Sequence, residues 1–350
     1  MKLSPKERLF AALNFDEVDM NPCYVLDGSS WVIKEEGINY ETQYALDDCG
    51  AKMIYDHFQE MQSDVITSGT SAWMAWATAF GSEANLKEIG TTISTLPAVK
   101  KYDELPLDLT EDQLRDKLLS NPIVQAMGKQ NKLVKKLVGD EKAIVTFVTA
   151  PFTAASTLLG AAPFMKMWAK KKPGVDELFN FASRVIAILA DYYTECGADI
   201  IATADPVASG DMISLDTYKE FAVPAYKKFL ELRHLDTPLF MHICGNAGER
   251  VEEVANLGVK TFSVDSMVDM GDMLKRADHK ICMMGSLSPA DKMLLGNPDA
   301  VYAEATRLLN LGRENGGGFL LSTGCDLPAG SPLANILAMR KAVEDFAAQK

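Results

Sequence analysis

From Ala143 onward, short β-rich runs alternate with helical patterns, and no other feature of the 350-residue chain restricts its fold so strongly. The runs are "AIVTFVTA" at 143–150, "DIIATAD" at 199–205, "PLFMHIC" at 238–244, "KTFSVD" at 260–265, "KICMMGS" at 280–286 and "GFLLSTGCD" at 318–326. Amphipathic stretches such as "VDELFNFASRVIAILADYYTECG" separate them, and a last helix is expected from about Pro332. Strands joined through helices run parallel, because each crossover returns the chain to the same end of the sheet, and such crossovers are right-handed. These six strands, with two more at "NPCYV" (21–25) and "SDVITSG" (63–69), make the eight that close a (β/α)8 TIM barrel. The charged run "TEDQLRDKLLSNPIVQAMGKQNKLVKKLVG" (110–139) reads as helical, so the expected fold is an α/β TIM barrel with an N-terminal helical elaboration. No repeat or linker divides it, which predicts one domain over 1–350.

Apolar residues at 47% supply enough core for such a barrel. A net charge of −13 would repel a phosphate backbone over most of the surface, which argues against nucleic acid as a partner. The opening "MKLSPKERLFAALNFDEVDMN" reads as a capped amphipathic helix with no apolar signal region, and no run reaches membrane-spanning length. A cytoplasmic protein without membrane attachment is expected. In that compartment Cys23, Cys49, Cys196, Cys244, Cys282 and Cys325 are reduced thiols or metal ligands, not disulfides.

Strand residues two apart share a face, so Phe240, His242 and Cys244 point together, and Cys244 ends its strand at the carboxyl edge where barrel enzymes do their chemistry. A second β-run ends in Gly-Cys at Cys325, able to face the first across the barrel mouth. Spacing alone leaves two readings open. One is a Cys2His zinc site with a fourth position free, as catalytic zinc requires; the other is three separately packed core residues.

The runs "TAPFTAAS", "IIATADPVASGDMISLDTYKEF", "FMHICGN" and "TGCDLPAGSPLANI" resemble the uroporphyrinogen decarboxylase superfamily, in particular its zinc-dependent branch, the methylcobamide:coenzyme M methyltransferases. The resemblance covers roughly 140–345 and is weak before that. It implies a Zn2+ held by His242, Cys244 and Cys325, and a corrinoid supplied by a small partner protein. It also implies that the acidic position in "SVDS", Asp265, is a labile fourth ligand. Members of the branch carry Glu there, one methylene longer, and the other readings of Asp265 are a helix cap or an acceptor orienting His242. Asp205, in "ATADPVAS", joins Asp265 as a candidate catalytic carboxylate lining the pocket, with Asp326 also near.

Two thiolates and a neutral imidazole cancel the charge of Zn2+, so an incoming thiol would lie there as a still nucleophilic thiolate. The leading expectation is transfer of a methyl group from a methylated corrinoid protein to a thiol such as coenzyme M. Alternatives are a donor-side enzyme passing a methyl from a methoxylated aromatic or methylamine to a cob(I)amide protein, transfer to a pterin such as tetrahydrofolate, and a non-catalytic corrinoid-docking or metal-storage protein. Uroporphyrinogen decarboxylation is a distant alternative. Decarboxylases of the superfamily grip the substrate's carboxylates with arginines near the N-terminus, where this chain reads "NPCYVLDGSSWVIKEEG". For a sulfonate-bearing acceptor the nearest cation in sequence is Arg250, read as facing solvent.

Other residues read as structural. Asp211 is expected to cap the helix that follows it, His234 to end a helix, His279 to sit in a turn, and His57 to lie on a helix surface. Cys23, Cys49, Cys196 and Cys282 are expected to be buried thiols, and Trp73 and Trp76 to be core or to line a cofactor face. The oligomeric state is not legible.

Overall fold

The computed structural model describes residues 2–68, 73–87, 95–170 and 173–349; Gly69, Ser71 and Ala72 of the runs expected to hold the second strand and the two tryptophans lie outside them. Eight parallel strands form one sheet: β1 Cys23–Tyr24, β2 Val65–Thr67, β3 Ala143–Thr149, β4 Ile200–Ala204, β5 Leu239–Ile243, β6 Thr261–Val264, β7 Cys282–Leu287 and β8 Phe319–Thr323. The order β1-β8-β7-β6-β5-β4-β3-β2 wraps into the expected (β/α)8 barrel. Its last seam, between the two shortest strands, is joined largely by side chains. Asp64 N donates to Cys23 O at 2.8 Å, and Cys23 N donates back to Asp64 Oδ2 at 2.8 Å. Inside the barrel the hydroxyls of Tyr24 and Thr67 meet at 2.7 Å.

The period of two sorts each strand between two cores. Val145, Ile200, Ala202, Phe240, Met284 and Leu320 fill the interior, where Leu9, Ala12 and Leu13 of the helix Pro5–Leu13 plug the amino-terminal end. Ile144, Ile201, Met241, Ile243, Phe262 and Leu321 join the outer core beneath the helices. The plug helix opens on a capping box between Ser4 and Glu7, and its Arg8 is buried against Asp64 at 2.9 Å and Asp19 at 2.8 Å.

The helical run 110–139 is two helices, Glu111–Leu119 and Pro122–Val138, broken where Asn121 caps the second and Pro122 occupies its first turn. The run from Leu215 is also interrupted, by a π-turn at Tyr218–Ala222 just before Pro224, whose missing N–H cannot continue the ladder. Among the described residues no helix is long and apolar enough to cross a membrane.

Candidate metal centre

β5 points Phe240 and His242 inward, with Ile243 outward, and Cys244 follows at the strand's carboxyl end. Cys325 comes from the loop after β8. That loop reaches the site because Gly324 lies against the loop after β6: a Cβ there would sit 2.7 Å from Ser266 N. The structure thus brings together the three expected ligands. His242 Nε2 is 3.0 Å from Cys244 Sγ, which is 3.5 Å from Cys325 Sγ, and all three ligand atoms lie within 4.8 Å of one another. Among the described residues no other group of three or more His, Cys, Asp or Glu gathers its ligand atoms so closely.

Zn–S bonds of about 2.3 Å and a Zn–N bond of about 2.0 Å place tetrahedral ligand atoms roughly 3.5–3.8 Å apart, so the trio needs little rearrangement to hold zinc. The donor chemistry agrees. His242 is buried while both cysteines are partly accessible, so the open side of the trio faces the mouth. The hydrogen bond with Cys244, together with burial, holds the Cys325 thiol above its ordinary pKa, and a cation is what would draw it to the thiolate.

The amides after Cys244 are gripped from two sides. Gly245 N donates to Asp265 Oδ2 at 3.1 Å, and Asn246 N donates to Asp211 Oδ2 at 2.9 Å. Gly245 has φ +66°, and a Cβ on it would meet Asp211 Oδ2 at 2.4 Å, so glycine is required. Asp211 therefore anchors this loop, and the cap expected of it is supplied by Ser214, which accepts from Thr217 N. Asp265 stands outside the ligand trio, with Oδ1 accepting from Ser266 Oγ at 3.1 Å. It caps no helix, since Asp269 caps the next one, and the hydrogen-bond partner of His242 Nδ1 is Ser263.

Asp205 is buried at the end of β4. Its Oδ1 accepts from Thr153 N at 3.0 Å and Thr153 Oγ1 at 2.7 Å, so it caps the helix Pro151–Leu159, which has no cap of its own. Burial pushes its carboxyl up to about 7 against the opposing pull of those two bonds. Asp326 is half-buried beside Asp27, which lies in the loop after β1; desolvation and the neighbouring Asp27 charge hold its pKa well above the carboxylate range. Ser30 Oγ donates to Asp326 Oδ2 at 2.7 Å and Gly28 N to Oδ1 at 3.3 Å.

Three further expectations need correction. Arg250 is fully buried: its guanidinium donates to the carbonyls of Ala208 and Ile213 and lies over the Tyr218 ring, so it braces the loop after β4 and does not face solvent. Cys49 is exposed, because it follows Asp48 on the outer face at the start of the helix Asp48–Glu60. His234 lies just beyond the helix Val223–Leu232 and pairs with Glu111 at 2.7 Å. His57 bridges Glu36 and Glu60 on a helix surface as expected, and His279 occupies a turn with φ +54°. Trp76 is core, donating to Thr149 Oγ1 at 3.2 Å, while Trp73 packs on the interior cluster. Sequence reasoning missed Ser263, Thr153, Asp27 and Ser30. For Ser263 a signal existed, since it shares strand parity with Thr261 and Asp265.

The chain resembles known proteins along nearly its whole length. The model of the family described as uroporphyrinogen decarboxylase (URO-D) matches residues 4–346. The methylcobamide:CoM methyltransferase MtaA of Methanosarcina barkeri is 27% identical over 348 residues, spanning 97% of this chain and 98% of its own. A uroporphyrinogen decarboxylase of Prochlorococcus marinus is 30% identical over 211 residues, spanning 58% of each chain. A solved methyltransferase from Methanosarcina mazei superposes with a TM-score of 0.84 at 25% identity, covering 99% of both chains. With the family model spanning nearly the whole barrel and full-length similarity running to the methyltransferases, the chain belongs to the uroporphyrinogen decarboxylase family, on its methylcobamide:CoM methyltransferase branch.

Proposed function

We propose that this methyltransferase moves a methyl group from a methylated corrinoid protein to a thiol such as coenzyme M, at a zinc held by His242, Cys244 and Cys325. The observation that carries the reading is the convergence of one imidazole and two sulfurs at the barrel mouth, all within 4.8 Å. When bound, zinc with this donor set would keep an incoming thiol as a nucleophilic thiolate at neutral pH and fix its sulfur for in-line attack. The chain's own contribution is positional. Ser263 holds the His242 ring, Asp265 and Asp211 hold the amides after Cys244, and Gly324 admits the Cys325 loop.

The mouth carries Asp27, Asp205, Asp265 and Asp326 on its strand-end loops, and no arginine lies in 21–37. With no arginine in that stretch to pair with the carboxylates of a tetrapyrrole substrate, decarboxylation is set aside. The inward turn of Arg250 favours a second reading on the donor side, because it removes the nearest cation that a sulfonate would seek.

The test is to incubate the zinc-loaded protein with methylcobalamin and coenzyme M, following corrinoid absorbance and the methylated thiol by mass spectrometry. Demethylation with stoichiometric methylthioether is expected. No turnover with coenzyme M or tetrahydrofolate, but methylation of cob(I)alamin by a methoxylated aromatic or methylamine, would replace this reading with the donor-side one. Zinc content without turnover of any donor would mark a non-catalytic protein.

A further inference from the structure

His242 and Ser263 are paired in the β5–β6 register, both on the interior face of the barrel. His242 Nδ1 lies 3.0 Å from Ser263 Oγ, while Nε2 faces Cys244 Sγ at 3.0 Å. A neutral imidazole carries one N–H, and a hydroxyl either accepts from it or donates to the bare nitrogen. If the proton sat on Nε2, that nitrogen could not ligate, and its N–H would point at the sulfur it should join at the metal. With the proton on Nδ1, Ser263 Oγ accepts it, and the Nε2 lone pair meets the Cys244 thiol or the ion. Both side chains are at least nine-tenths buried, so water is poorly placed to replace the hydroxyl.

We infer that Ser263 is a positioning residue that fixes the His242 tautomer, holding the proton on Nδ1 so that Nε2 is free to ligate; its consequence for metal affinity rests on the zinc reading above. A hydroxyl suits this task better than a carboxylate would, because it accepts the N–H without adding charge to a donor set already neutral with zinc. Removing it leaves a buried N–H without a partner and lets the ring exchange to the Nε2–H form, which competes with the metal. Loss of such a partner typically weakens metal binding roughly 10- to 100-fold.

The experiment compares wild type, Ser263→Ala and Ser263→Thr, each labelled with 15N-histidine and measured with and without zinc. Two-bond 15N–1H spectra, with His242 assigned by the loss of its signals in His242→Gln, read the tautomer of the metal-free protein. Competition with a chromogenic chelator reads zinc affinity. The expected result is the Nδ1–H form in wild type, its loss in Ser263→Ala with affinity down roughly 10- to 100-fold, and recovery of both in Ser263→Thr. The Nε2–H form in the wild type overturns the inference with no variant needed. So does a Ser263→Ala protein with unchanged tautomer and affinity. A wild type that shows the Nδ1–H form, loses it in Ser263→Ala, yet binds no zinc supports the role of Ser263 and overturns the zinc reading instead.

Discussion

The Sγ atoms of Cys244 and Cys325 stand 3.5 Å apart although 81 residues separate them in the chain. They follow β5 and β8, three places apart in the barrel order, so the pair closes only because the loop after β8 reaches the end of β5. Such a pair with an imidazole alongside is a donor set that wants a soft divalent ion. The expected outcome is about one zinc per chain by elemental analysis. Cys325→Ala and Cys244→Ala should each lose most of it under chelator competition, while Cys49→Ala, outside the site, loses none. Full zinc occupancy and affinity in Cys325→Ala would defeat the assignment.

Asp265 is engaged with Gly245 N and Ser266 Oγ and stands apart from the ligand trio. Asp265→Asn keeps an acceptor for Gly245 N, so zinc stoichiometry should stay near that of the wild type and the X-ray absorption edge should not move. Asp265→Ala leaves the Gly245 amide without its acceptor and loosens the loop after Cys244, so methyl transfer should fall while zinc content holds. Loss of zinc from Asp265→Asn would make the carboxylate a true ligand.

What could be read from residue order divides along a physical line. β3 to β8 are runs of Val, Ile, Phe and Met bounded by turns, and their period of two correctly sends His242 and Cys244 to one face. β1 and β2 span two and three residues, too short for periodicity, and were legible mainly because eight strands are needed to close a barrel. Contacts made between loops were not legible. Asp211 reaches Asn246 across 35 positions, and Arg250 reaches Ala208 across 42, and nothing local announces either partner. The parity of Ser263 was readable, but its pairing with His242 depends on the β5–β6 register, which only the folded sheet determines.

Asp64 joins the weakest seam of the barrel to the buried Arg8 and the half-buried Arg340. Its carboxylate accepts from Cys23 N, from Arg8 Nη1 at 2.9 Å and from Arg340 Nη1 at 3.1 Å, with almost no exposure to water. Asp64→Ala strands the Cys23 amide and leaves Arg8 with Asp19 as its remaining carboxylate partner. The expected destabilisation is about 3–5 kcal/mol, the range for breaking a buried pair from one side. Urea unfolding measures it. A shift of less than about 1 kcal/mol would mean that the seam is held elsewhere.

Asp205 makes stability depend on pH in the direction opposite to a salt-bridged carboxylate. Burial raises it to about 7 from an ordinary 3.8, so the folded chain keeps a proton that the unfolded chain releases. Stability should therefore fall as pH rises from about 4 to about 7, and then level off. The full span of about 3 pH units at about 1.4 kcal/mol each bounds the effect near 4 kcal/mol. Asp205→Asn retains an oxygen acceptor for Thr153 N and Oγ1 and removes the charge. The variant of the zinc-free protein should gain on the wild type between about pH 4 and about pH 7 and keep that advantage above, with little difference at the acid end. Parallel unfolding curves at all pH values would show that Asp205 is ionised in the fold throughout, and that its two Thr153 bonds outweigh its burial.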